Sequence, residues 1–157
     1  MKNSIGIEAK QIKDNTKILS VLLADEHILY TKTRNAHWNV EGTDFHSMHV
    51  FFESQYDELA EVIDEVAERI RQLGQSAPAT LKEFLQLSRL TEKKIAKNDS
   101  QNFIKALLED QESIIKYIRD AVAKMEDSKD FGTEDFLVGL LEKHEKMAWM
   151  LRAHLVK

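Results

Sequence analysis

Between Gly42 and Gly74 the chain carries neither glycine nor proline. About 30 consecutive residues therefore run without a helix breaker, enough for ~45 Å of helix at 1.5 Å per residue. The same scarcity holds elsewhere. One proline and five glycines in 157 residues leave few places where the chain can turn, which suits a helical globular protein and suits a β-sandwich badly.

The breaks divide the chain into long periodic pieces. The first runs from about Glu8 to Asn39, with Ile18, Leu22, Ile28 and Leu29 at mostly helical spacings, and VEGT at 40–43 ends it. Thr43 or Asp44 is placed to cap the second piece, which reaches Leu73 with Gly74 as a left-handed terminator. A long connection follows. It holds Pro78 and a short helical stretch, LKEFLQLS, behind Thr80. Asn98-Asp99-Ser100 opens a third long helix to about Met125, SKDFG at 128–132 ends it, and Thr133 is the expected cap of a last helix. Connections that run short, long, short predict an all-α, ferritin-like four-helix bundle with an extra short helix in the long connection, its second and third long helices parallel. The expected organisation is one domain over 1–157, with a short tail over about 1–9.

Charge and cysteine content narrow the chemistry. A net charge of −5 argues against coating nucleic acid by bulk electrostatics. The absence of cysteine removes disulfides, thiolate zinc sites, iron–sulfur clusters and a cysteine nucleophile. The start, MKNSIGIEAKQIKDN, lacks the apolar stretch of a secretory signal, and no apolar run nears the ~20 residues of a membrane span, so a cytoplasmic protein is expected.

The second long helix carries two stripes. On a wheel of 100° per residue with His49 at zero, Phe45, Phe52, Tyr56, Leu59, Ile63, Val66, Ile70 and Leu73 fall at about −20° to −120°, the expected core. Beside them, at about 0° to 100°, lie His46, His49, Glu53, Asp57, Ala60, Asp64, Ala67, Glu68 and Arg71. A charged stripe flanking a core is commonly a solvated face. Here, however, Ala60 and Ala67 leave room for another backbone, and His37, in NAHWNV, lies just before the short turn and close to His49. His49 with Glu53, and Asp64 with Glu68, are i, i+4 pairs that project from successive turns, and imidazole with carboxylate suits Fe(II), Mn or Zn.

The two pairs stand ~22 Å apart along one helix, so no single ion touches both. No histidine has a glutamate three residues before it, which disfavours the E-x-x-H site of an intrachain di-metal bundle. If the helix packs antiparallel on its own copy about a dyad near Glu58 and Leu59, His49 and Glu53 of one chain meet Asp64 and Glu68 of the other, forming two equivalent sites.

The run NAHWNVEGTDFHSMHVFFESQYDELAEVIDEVAERIRQLG closely resembles the signature of the Dps family, the mini-ferritins, as do TLKEFL and TEDFLVGLLEKHEKMAWMLRAHL further on. The resemblance implies a hollow dodecamer built from two-fold dimers. It implies ferroxidase sites between subunits, formed by His37, His49 and Glu53 of one chain with Asp64 and Glu68 of the next and holding two iron ions each. It implies oxidation of Fe(II), preferentially by hydrogen peroxide, and storage of the ferric mineral. Glu53 stands where the family usually has Asp. Trp38 resembles a family tryptophan near the iron, as electron donor or interface packing, and Asp135 matches a segment lining a three-fold iron pore. His46 is expected to be an exposed side chain beside the site. His27, His144 and His154 are expected to be structural or surface residues. Family members that condense DNA usually do so through a Lys-rich tail. Here Lys2, Lys10, Lys13 and Lys17 alternate with Glu8 and Asp14, and the sequence stops at Lys157, so weak DNA binding is expected. The competing readings are a nucleoid-associated DNA-protecting protein with secondary iron chemistry, and a helical scaffold whose stripe is only a dimer seam.

Overall fold

The structure is a computed structural model that describes residues 4–155. Among the described residues there are five helices and no strand: α1 Ala9–Asn39, α2 Phe45–Gln72, α3 Leu81–Leu87, α4 Ser100–Asp127 and α5 Phe131–Ala153. The four long helices form the bundle and α3 packs on α1. Residues 4–8 precede the first helix; the rest of the expected tail, with Lys2, and the final Lys157 lie outside the described residues. No helix among those described is long and apolar enough to cross a membrane.

Two sets of ties fix the direction of the helices. At one end, Glu41 N–H donates to Asn98 O at 2.8 Å, and the Ser100 hydroxyl donates to Asp44 Oδ2 at 2.6 Å. The starts of α2 and α4 therefore share an end of the bundle, and the two run parallel as expected. At the other end, buried Asp130 accepts from Asn15 Nδ2 at 3.0 Å and from Thr133 Oγ1 at 2.7 Å, and Arg69 reaches it from α2. This cluster joins α1, α2 and α5.

Several boundaries differ from the sequence reading. Asp130, not Thr133, caps α5: its carboxylate accepts from the Thr133 backbone N–H, and Thr133 is buried inside the first turn. The carboxylate prevails because Asn15 and Arg69 hold it in place. Asp44 occupies the cap position of α2 but makes no side-chain cap bond, because Ser100 engages it instead. The third long helix continues past Met125 to Asp127. Thr80 caps α3 as expected, in a reciprocal box with Glu83. Gly74 takes φ +84°, the left-handed conformation that ends α2.

The core face of α2 is also rotated from expectation. Phe52, Leu59, Val66, Ile70 and Leu73 are buried, and Met48, Gln55 and Val62 join them. Phe45 is 45% exposed, and Tyr56 and Ile63 are only partly buried. The buried set centres near −100° on the wheel, so residues at about −20° to −40° form a border between core and charged stripe.

Candidate metal centre

His37 sits in the last turn of α1 and His49 in the second turn of α2, joined by the turn at 40–44. Their rings stack, with centroids 3.7 Å apart and planes at 22°. Each ring also bonds the other's backbone: His37 Nδ1 lies 2.8 Å from His49 O, and His49 Nδ1 lies 2.8 Å from His37 O. A carbonyl only accepts, so both Nδ1 atoms donate. That fixes the tautomer and leaves both Nε2 lone pairs available to a metal ion. The backbone thus supplies the kind of bond that would orient a metal-ligating histidine.

Around this pair is a border of aromatic and cationic groups. Tyr56 meets the His37 ring edge-on at 5.2 Å, and its hydroxyl donates to Glu53 Oε1 at 3.3 Å. Burial, then the Glu53 carboxylate, push the Tyr56 phenol above its ordinary range, so it remains a donor. The Arg34 guanidinium lies over Tyr56 at 4.8 Å, Trp38 at 4.9 Å and Tyr30 at 5.6 Å, and donates to the Tyr30 hydroxyl at 2.7 Å. Phe45 closes the other side, 5.2 Å from the His49 ring.

The structure brings His37 and His49 together and links Glu53 to them through Tyr56. It leaves Asp64 and Glu68 apart, because α2 is one continuous helix and they lie ~22 Å and ~28 Å from His49 along it. Among the described residues no three of His, Cys, Asp and Glu converge within this single chain in a way that would hold a metal ion. Glu53, Ala60, Asp64 and Glu68 are all exposed. Glu68 instead lines a groove of about 420 Å³ between α2 and α5, with Glu65, Lys143 and Asp135 along it. Asp135 is exposed, in the second turn of α5.

The remaining histidines divide as follows. His27 stacks on Phe84 of α3 at 3.9 Å, and burial lowers its pKa. His144 is fully buried against Glu26. His154 is exposed and packs near Phe51, and His46 is exposed. Trp38 is 61% exposed. Sequence reasoning missed the contribution of Tyr56, which it assigned to the core, and of Arg34 and Tyr30. The available signal was the i, i+3 spacing of Glu53 and Tyr56 across the border of the two stripes.

Comparison with known proteins gives a consistent picture. The family model described as a ferritin-like domain matches residues 16–157. An uncharacterized low temperature-induced protein of Nostoc sp. is 39% identical over 151 residues, covering 96% of this chain and 84% of the relative. The DNA protection during starvation protein 2 of Bacillus anthracis is 36% identical over 143 residues, covering 91% of this chain and 97% of the relative. Among solved structures, DpsC from Streptomyces coelicolor matches with a TM-score of 0.95 at 27% identity, over 100% of this chain and 92% of that one. A Dps protein from Vibrio cholerae, described as a member of a broad superfamily of ferritin-like diiron-carboxylate proteins, matches with a TM-score of 0.93 at 29% identity, over 99% and 97%.

Proposed function

Since the chain belongs to the Dps family of ferritin-like proteins, for which iron storage and DNA protection are family-level functions, we infer that it is an iron-sequestering ferroxidase whose reaction site forms between two copies of the chain. His37, His49 and Glu53 of one subunit face Asp64 and Glu68 of the other, with two iron ions taken up as substrate at each site. The observation that carries this reading is the His37–His49 pair, whose Nδ1 atoms are both committed to backbone carbonyls and whose Nε2 atoms are left for a ligand.

The chemistry follows from the donor set. Asp64 and Glu68 supply the negative charge that draws Fe(II), and the two oxygens of Glu68 would allow it to bridge two ions. Two neutral imidazoles keep the shell weak and open, which leaves positions for an oxidant, hydrogen peroxide by preference. Two Fe(II) give one electron each to the O–O bond, which breaks to give water after proton uptake, and no one-electron oxygen radical is released. Carboxylate oxygens favour the Fe(III) product. The ferric ions are stored as mineral in a hollow dodecamer built from two-fold dimers, and Asp135 belongs to a pore through which iron reaches the interior. Protection of the cell then comes from removing Fe(II) and peroxide together. The weakly charged N-terminal segment contributes little DNA binding, and the site of action is the cytoplasm.

Complementation between variants tests the shared site. His37→Ala/His49→Ala and Asp64→Asn/Glu68→Gln are each expected to lose peroxide-dependent ferric absorbance. Co-assembled from equal amounts of unfolded chains, they are expected to regain about a quarter of wild-type activity, since half the dimers are mixed and each mixed dimer holds one intact site of two. No recovery in particles shown to contain both chains refutes a site built from two subunits. Full activity in the double-histidine variant removes the assignment altogether.

A further inference from the structure

We propose that Tyr56 is a positioning residue for iron uptake: it holds one oxygen of the Glu53 carboxylate and leaves the other free for an ion bound at the histidine pair. This rests on the reading of His37, His49 and Glu53 as iron ligands.

Glu53 is exposed on α2 and has three side-chain torsions. An exposed glutamate left alone samples many rotamers, and ordering it on metal binding opposes that binding. Tyr56 lies one turn on. Its hydroxyl donates to Glu53 Oε1 at 3.3 Å, which occupies one carboxylate oxygen and selects among rotamers that turn Glu53 along the helix toward Tyr56. Oε2 is left for the metal.

Tyr56 can impose this orientation because it is itself fixed. Its ring stands edge-on to His37 at 5.2 Å and 84°, and edge-on to Tyr30 at 6.0 Å and 85°. The Arg34 guanidinium lies over it at 4.8 Å, and is anchored in turn by its 2.7 Å bond to the Tyr30 hydroxyl. One side chain thus touches an α1 ligand through its ring and an α2 ligand through its hydroxyl, setting the distance between groups that the backbone places on separate helices. Geometry also explains why Glu and Tyr belong together. An Asp at position 53, shorter by one methylene, ends ~1.5 Å short of a phenol that Glu only just reaches. An Asp also has fewer torsions to order, so it has less need of a partner.

The test is a double-mutant cycle between Tyr56→Phe and Glu53→Asp on the assembled protein. It is read by anaerobic Co(II) titration of the visible ligand-field bands, and by the Fe(II) dependence of peroxide-driven ferric absorbance. Phe keeps the ring packing and removes only the hydroxyl. Tyr56→Phe is expected to weaken Co(II) binding and raise KM for Fe(II) about five- to tenfold, the equivalent of one hydrogen bond, with kcat within about twofold. In the Glu53→Asp background the same substitution is expected to change neither value by more than about twofold. An unchanged affinity in the wild-type background overturns the proposal. So does an equal loss in both backgrounds, which would make Tyr56 a packing residue only. His37→Ala serves as control: if it leaves the Co(II) spectrum intact, the ligand assignment is wrong and the role of Tyr56 falls with it, whereas loss in His37→Ala with a silent Tyr56→Phe refutes this proposal alone.

Discussion

Replacing His144 by Leu should damage the protein far more than replacing His144 and Glu26 together. Both residues are fully buried in the bundle core, Glu26 on α1 and His144 on α5, with His144 Nε2 3.0 Å from Glu26 Oε1. His144 Nδ1 lies 2.7 Å from Gln111 Oε1, and the Gln111 amide nitrogen is turned to the Met147 sulfur at 3.6 Å. Nδ1 is therefore a donor, while Nε2 and Glu26 Oε1 meet at ion-pair distance without hydrogen-bond alignment. Among the described residues neither Glu26 oxygen nor His144 Nε2 has a hydrogen-bond partner. His144→Leu strands the carboxylate, at a cost of about 3–5 kcal/mol. Glu26→Met with His144→Leu removes the stranded carboxylate and leaves only Gln111 Oε1 without its donor, a cost of about 1–3 kcal/mol set against the ~1–4 kcal/mol that replacing a buried pair can return, so the double variant should lie near wild type. Urea unfolding at fixed subunit concentration, followed by tryptophan fluorescence, reads the difference. With a slope of about 2 kcal/mol/M the single variant should unfold roughly 1.5–2.5 M earlier than wild type and the double variant close to wild type. If His144→Leu does not assemble, Glu26→Gln supplies the milder perturbation. A single variant within about 1 kcal/mol of wild type, or a double variant worse than the single, refutes the account.

Acid should loosen α3 before the rest of the bundle. The His27 pKa is lowered by burial, so the unfolded chain takes up a proton near its ordinary value while the folded one does not. The His27–Phe84 contribution is complete above about pH 6.5 and is lost as pH falls toward the depressed folded value. Hydrogen exchange over 81–87 between pH 7 and 5.5 reports it, and a His27→Phe variant should show little of that change. Phe52→Ala, emptying a fully buried position, should cost about 3–5 kcal/mol in the same urea assay. The assembled protein should elute near 220 kDa, twelve times the 18.2 kDa chain. At ~150 mM salt it should leave duplex DNA unshifted in a gel; a tight, salt-resistant complex would show that its charge distribution had been misjudged.

Long elements and their directions were legible because helix breakers are so few, and all but Gly132 and Gly139, which lie inside α5, fall outside the helices. The Thr80–Glu83 box and Gly74 could be read for the same reason: local chemistry decides them. Asp130 could not be read as a cap, since what selects it over Thr133 is Asn15, 115 residues away in sequence, together with Arg69. The wheel found both stripes of α2 but set their border too far round, because periodicity gives a direction of burial and not its limits. Phe45 and Ile63 were therefore assigned to the core, as was Tyr56. The histidines at 37 and 49 stood out as a pair across a short turn, although nothing in their spacing specified that each ring would bond the other's carbonyl. Glu26 drew no notice, since a lone acid in an amphipathic helix reads as solvated until the histidine opposite it is known.

The reciprocal bonds between the two imidazoles and the two carbonyls make the hairpin over 37–49 a self-contained module. Its donor geometry is written into thirteen consecutive residues and needs no distant support for the tautomers, so any scaffold offering two antiparallel helical ends at the same separation could receive it whole. The corollary is fragility in pairs: deleting either ring unlatches the other, and the second substitution should find little left to remove.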